Sequence, residues 1–165
     1  MKPVAKSYFH RGGTEPLLGA TIPEHFQEVV TRFPDHEAVV SLPQAKRLSY
    51  QELSIAIDQL ARGLVAIGFG KGDRIGVWST DNLEWLLLQM ATARIGAVLV
   101  NINPAYQLRE LAYALERSEV QGIFTIPSFR SSDYVAMLVE LLPKLQQEHN
   151  GESHSETLPF LRQVV

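Results

Sequence analysis

Apolar residues recur at helical spacing from Ile22 through Phe26, Val29 and Val30 to Phe33. Thr21 and Glu24 stand before them as an N-cap and its partner three residues on. This predicts a first helix. The pattern then shortens: "EAVVSL" (Glu37 to Leu42) and "KRLSY" (Lys46 to Tyr50) are strand candidates around Pro43-Gln44, which predicts a small hairpin. Ser49 with Glu52 forms a second capping box. Behind it Leu53, Ile57, Leu60, Ala61 and Leu64 make a buried stripe that stops before Gly68.

From there strand and helix patterns alternate. Arg74 to Trp78 reads as a strand, Leu83 to Ile95 as a helix ended by Gly96, and Ala97 to Ile102 as a second strand. Leu108, Leu111, Ala112 and Leu115 mark another helix, Val120 to Ile126 a third strand, and Asp133 to Leu142 a further helix. Such alternation predicts the α/β class, a three-layer parallel sheet flanked by helices with right-handed crossovers.

Residues 1 to 21, rich in Gly, Pro and polar groups, read as an irregular amino-terminal arm, and 22 to 165 as one α/β domain. Within it Lys144 to Thr157 has no apolar face and reads as a mobile loop. "LPFLRQVV" opens one more strand and the chain stops inside it at Val165, so the domain reads as truncated. At 165 residues the chain is long enough to bury a real core. Its 45% hydrophobic and 20% charged residues fit a globular protein rather than a disordered one. The net charge of −3, with no basic cluster, offers nothing to nucleic acid or an anionic membrane. Cysteine is absent, which removes disulfides, thiolate nucleophiles and zinc-thiolate sites. No apolar run approaches a signal peptide or a membrane span, so the expected setting is cytoplasmic.

Candidate chemistry is sparse. "GFGKG" (Gly68 to Gly72) follows a helix and precedes a strand. A phosphate-binding glycine loop has the opposite order, so this one reads as a helix cap and turn. His10, His25, His36, His149 and His154 include no pair spaced four apart, hence no metal site is assigned. Trp78 and Trp85 bracket a strand-to-helix turn and read as packing beneath it. Asp81, with Glu84 three residues on, reads as a helix N-cap rather than a phosphorylatable strand-end carboxylate. No Ser/His/Asp constellation can be assembled from order alone.

Three stretches, in this order and spacing, resemble the adenylate-forming enzyme superfamily. "LSYQEL" (Leu48 to Leu53) is similar to its first core motif, and "ATARIGAVLVNINPAY" (Ala91 to Tyr106) to its second. "GFGKGDRIGVWSTDNLEW" lies between them as the family's turn, strand and helix start. "SYFHRGGTEPLL" near the amino end resembles the branch that activates fatty acids, medium-chain ones especially.

The resemblance implies the N-terminal subdomain of a fatty-acyl-CoA synthetase, which joins a fatty acid to ATP with Mg²⁺ and passes the acyl group to coenzyme A. The family's phosphate loop, nucleotide-binding carboxylates and C-terminal lysine have no match here. No catalytic, cofactor or metal residue is therefore carried over, and this chain alone is expected to be inactive. Asn101 and Asn103, at the carboxyl end of a parallel strand, are the candidates for the substrate path. Apolar surface left uncovered is expected to favour a homodimer. The competing readings are a stand-alone, non-catalytic α/β domain that binds a ligand or a protein, and an unrelated receiver-like or flavodoxin-like domain.

Overall fold

In the computed structural model, which describes residues 12–13, 18–143, 155 and 157–165, helix α1 spans Ile22–Arg32 and helix α2 spans Tyr50–Ala66. Both start on reciprocal capping boxes. Thr21 N donates to Glu24 Oε2 at 2.7 Å, and Ser49 N donates to Glu52 Oε2 at 2.8 Å, while each cap hydroxyl accepts from the glutamate's own N–H. Because these N–H groups favour the charged form, they hold both carboxyls below their ordinary range. Between the helices, strands β1 (Glu37–Ser41) and β2 (Lys46–Ser49) pair antiparallel as the expected hairpin.

The chain then alternates through β3 (Arg74–Trp78), α3 (Leu83–Ile95), β4 (Val98–Asn101), α4 (Leu108–Arg117) and β5 (Gly122–Thr125). A two-residue hairpin, β6 (Ser128–Phe129) and β7 (Ser132–Asp133), leads into α5 (Tyr134–Leu141), and β8 (Gln163–Val164) follows. Strands β4, β3, β5 and β8 form one all-parallel sheet in that spatial order. Alternate strand residues feed opposite faces. Ile75 and Val77 meet Leu53, Ile57 and Leu64 of α2 and Leu88 of α3. On the other side, Trp78 and Ile123 meet Leu111 and Leu115 of α4 and Tyr134 and Leu138 of α5. The result is the three-layer α/β domain expected from the alternation.

Helices α2, α3 and α4 end by the same device. After α2, Gly68 N donates to Val65 O and Phe69 N to Leu64 O. After α3, Gly96 N donates to Ala93 O and Ala97 N to Thr92 O. After α4, Glu119 N donates to Glu116 O and Val120 N to Leu115 O. Each is a Schellman pair, with its pivot residue in left-handed backbone at φ 89°, 74° and 49° respectively. Gly68 and Gly96 take that conformation freely; Glu119 carries a side chain there, and its carboxylate pairs with Arg74 of β3. The residue after the pivot enters the core at once. Phe69 lies so close over Gly122 that a Cβ on Gly122 would stand 2.3 Å from Phe69 Cζ. Arg162, just before β8, sets its guanidinium over this ring, 4.9 Å from the centroid, and donates to Asp73 Oδ2 at 2.8 Å.

Several expected boundaries shift for one reason: caps consume the flanking residues. Ala97 is spent on the end of α3, so β4 begins at Val98. Val120 is spent on the end of α4, so β5 begins at Gly122. Asp133 caps α5 through Ala136 N at 2.9 Å instead of lying within it. The cap of α3 requires a correction: it is Asn82, not Asp81. Asn82 Oδ1 accepts from Trp85 N at 2.7 Å, and Glu84 faces the β1–β2 hairpin instead of closing a box with Asp81. The β6–β7 hairpin is too short to leave an alternating pattern. The expected mobile loop at 144–157 and the irregular arm at 1–21 fall almost wholly outside the described residues.

Gln44, in the turn between β1 and β2, fastens the hairpin to the start of α3. Its Oε1 accepts from Leu83 N at 2.9 Å and from Ser41 Oγ at 2.8 Å, and its Nε2 donates to Glu84 Oε2 at 2.6 Å. That last bond, foremost, holds the Glu84 carboxyl below its ordinary value, with Lys46 at 3.3 Å adding to it.

Gly96→Val forces a β-branched residue into left-handed backbone and, with Lys71 Cγ 3.2 Å from the site of the new Cβ, is expected to destabilise the chain by at least about 1 kcal/mol in urea denaturation. Gln44→Leu leaves the Leu83 N–H without its partner and is expected to cost about 1–2 kcal/mol in the same assay. The carboxyls of Glu24, Glu52 and Glu84 titrate lower in the folded chain than in the unfolded one. Their contribution is therefore full above the unfolded value of about 4.3 and is lost as pH falls through the lower folded values. Melting temperatures measured from pH 6 to pH 3 should show this fall, and it should be shallower in Gln44→Leu because Glu84 then titrates nearer its ordinary value.

Candidate functional site at the carboxyl edge of the sheet

Strand order places a switch point between β3 and β5: the chain leaves β3 toward β4 on one side, then crosses back to β5 on the other. In open parallel sheets ligands bind beyond the carboxyl ends of the strands at such a point. A cleft of about 520 Å³ opens there. Leu60 of α2, Trp85 of α3, Phe124 of β5, Ile126 and Val165 make its apolar walls. Its polar atoms are already ordered: Asn82 Nδ2 donates to Ser79 Oγ at 2.9 Å, Ser79 Oγ to Thr80 O at 2.9 Å, and Thr125 Oγ1 to Trp78 O at 3.0 Å. An aliphatic or aromatic group suits this lining.

A second groove, about 410 Å³ and more polar, runs beside it between the ends of β3 and β4. Ser79, Thr80 and Asp81 form one wall and Asn101, Asn103 and Pro104 the other, with Trp85 separating the groove from the cleft. The structure thus brings both sequence-predicted residues to one groove, in different states. Asn101 is exposed, and its side-chain amide has no hydrogen-bond partner among the described residues. Asn103 spends its Oδ1 on Ala105 N at 2.9 Å, an Asx turn that shapes the "NINPAY" bend. Asp81, displaced from the capping role, is exposed on the opposite wall.

The glycine loop between α2 and β3 lies at the other edge of the sheet. Gly68 N bonds Val65 O, Gly70 N bonds Asp73 Oδ2 at 2.9 Å, and Gly72 N bonds Gly96 O at 2.9 Å. Donors committed to the chain in this way do not converge on a phosphate, so the cap-and-turn reading holds. Among the described residues no three His, Asp or Glu side chains gather as a metal site.

Trp78 and Trp85 part company. Trp78 is fully buried beneath the turn, as expected, whereas Trp85 is half-buried and faces both openings. Sequence reading placed Gln44 only in a turn and an Asn at the start of α3, and it gave Thr125 and Tyr134, which also order this edge, no role. An Asn beside the start of an apolar run was a usable signal for Asn82. Gln44 meets Leu83 and Glu84 from 39 and 40 residues away, and no local pattern marks it.

Comparison with known proteins supplies the context. The AMP-binding enzyme family model matches residues 26–162. The mitochondrial medium-chain acyl-CoA ligase ACSF2 of Mus musculus is 37% identical over 99% of this chain and 27% of its own length. Two solved structures share the fold. The N-terminal domain of FACL13 from Mycobacterium tuberculosis superposes with a TM-score of 0.69 at 19% identity, over 88% of this chain and 33% of its own. The NpsA N-terminal subdomain of Klebsiella oxytoca gives 0.60 at 26% identity, over 64% and 27%. The chain spans about a quarter of the length of the curated relatives it matches. With these motifs set in a parallel three-layer domain, and with a family match over most of its length, the chain belongs to the AMP-binding, adenylate-forming enzymes.

Proposed function

We propose that this chain is the N-terminal portion of an ATP-dependent fatty-acyl-CoA ligase. Such an enzyme converts a fatty acid and ATP to an acyl-adenylate and then to a coenzyme A thioester. The observation that carries the reading is the match to medium-chain acyl-CoA ligases over almost the whole chain, together with an apolar cleft where a parallel sheet binds ligands. The cleft's aliphatic and aromatic walls suit an alkyl chain. The neighbouring groove, with the amide of Asn101 and the hydroxyl of Thr80, suits the amide-bearing arm of the thiol acceptor. In this reading Asn101 contacts that arm, and Asn103 contributes through the turn it holds.

Bound Mg·ATP supplies the AMP leaving group that a carboxylate oxygen lacks. The glycine-loop N–H groups are engaged with the chain itself and are not turned to a triphosphate. The chain by itself is accordingly read as non-catalytic. Exposed Val98 on edge strand β4 and exposed Leu42 support self-association of the isolated chain as a dimer. The proposed setting is cytoplasmic. No helix among the described residues is long and apolar enough to cross a membrane, and the ACSF2 relative is named as mitochondrial.

The polypeptide of the complete reading frame containing this sequence is expected to exchange pyrophosphate into ATP only with a fatty acid present, medium-chain acids exceeding long-chain ones, and to form thioester when coenzyme A is added. The 165-residue chain alone is expected to show neither exchange nor calorimetric binding of Mg·ATP. Exchange by the short chain would place a complete site within it. Absence of exchange in the complete polypeptide would favour a non-catalytic binding domain.

A further inference from the structure

The "NINPAY" bend is held from below by two aromatic rings. Trp78, the last residue of β3, sends its indole Nε1–H to Asn103 O at 3.1 Å, and the phenol of Tyr134, the first residue of α5, donates to Pro104 O. The rings are stacked, with planes 5° apart and centroids 3.5 Å apart, and both side chains are fully buried. Full face-to-face overlap is not the arrangement that ring quadrupoles choose. Here it follows from the anchoring, since two consecutive carbonyls of one bend are taken by two adjacent rings. Tyr106 N also donates to Asn103 O at 3.1 Å, and Gln107 Nε2 to Ser132 Oγ at 3.0 Å, so the bend is tied on its far side as well.

Trp78 reaches both walls of the polar groove. Its backbone runs directly into Ser79, Thr80 and Asp81 on one wall, and its indole nitrogen holds the bend after Asn101 and Ile102 on the other. The β3–β4 ladder ties the walls as far as Ile102 N, which donates to Val77 O at 3.0 Å; past that point the Trp78 indole carries the tie on to the bend, and the Tyr134 ring is stacked against it. Burial pushes the Tyr134 phenol up from its ordinary value, which keeps it a donor at neutral pH.

We propose that Trp78 and Tyr134 are positioning residues: a stacked clamp that sets the width of the groove and presents Asn101 to the polar arm of the acyl acceptor. This rests on the reading of the chain as part of an acyl-CoA ligase. Neither ring touches the ligand. The clamp acts through the carbonyls of Asn103 and Pro104.

Tyr134→Phe removes one hydroxyl and keeps the stacked ring, and Trp78→Phe removes the indole donor. In the 165-residue chain, amide hydrogen exchange at Ala105 and Tyr106 should quicken by about fivefold or more in Tyr134→Phe, while Ile75 to Val77 keep their protection. In the complete polypeptide the same variant should raise KM for coenzyme A by about fivefold or more with kcat within about twofold. Exchange at the bend equal to wild type overturns the clamp. A loosened bend with unchanged KM overturns its role in positioning, as does an equal fall in kcat and melting temperature without a KM effect. If Trp78→Phe fails to fold, Tyr134→Phe alone decides. If the wild-type polypeptide forms no thioester, the ligase reading fails, and amide exchange still decides whether the clamp holds the bend.

Discussion

A helix that stops inside a packed layer must pair its last carbonyls while the chain reverses into a buried strand, and this requirement governs the whole domain. Left-handed pivots at Gly68, Gly96 and Glu119 meet it three times in succession. Each pivot turns the next residue back against the core; β4 and β5 begin within a few residues of it, and β3 after the short turn that follows Phe69. Because the pairing is backbone to backbone, it asks little of side-chain chemistry beyond tolerance of positive φ. The exception, Glu119, adds the ion pair to Arg74 and ties the end of α4 to the strand beside it.

The opposite edge of the sheet is built on different terms. There Gln44, Asn82, Asn103, Thr125 and Tyr134 satisfy the turns with side-chain groups, several of them drawn from distant parts of the chain. At the amino edge the helix ends are closed by main-chain pairs, with Asp73, Glu119 and Arg162 adding side-chain ties, whereas the carboxyl-edge turns lean more on side chains. Turns held by side chains leave a surface whose shape and polarity a substitution can alter. The cleft and the groove both lie on that edge.

Much of the fold was legible because its elements are local. Both capping boxes, the amphipathic stripe of α2 and the stop at Gly96 are written in residues three to four apart, and the structure keeps them. Strand ends were less legible, since Ala97 and Val120 look like strand residues and are consumed by helix caps. The cap of α3 was misplaced by one residue because Asp81 and Asn82 are both good caps; Asn82 takes the role, with its Oδ1 on Trp85 N and its Nδ2 on Ser79 Oγ. At the site, Asn101 and Asn103 were visible from their place after a strand. Most of the partners that shape the edge were not, because their contacts join residues 25 to 47 positions apart.

The chain has two tryptophans, and the fold gives them opposite surroundings. Trp78 is sealed from solvent against Tyr134, while Trp85 lines both openings at the carboxyl edge. An aqueous collisional quencher therefore meets one indole and not the other. The accessible part of the native emission belongs to Trp85, so the protein carries its own optical reporter at the place where a ligand would arrive, and no label has to be attached.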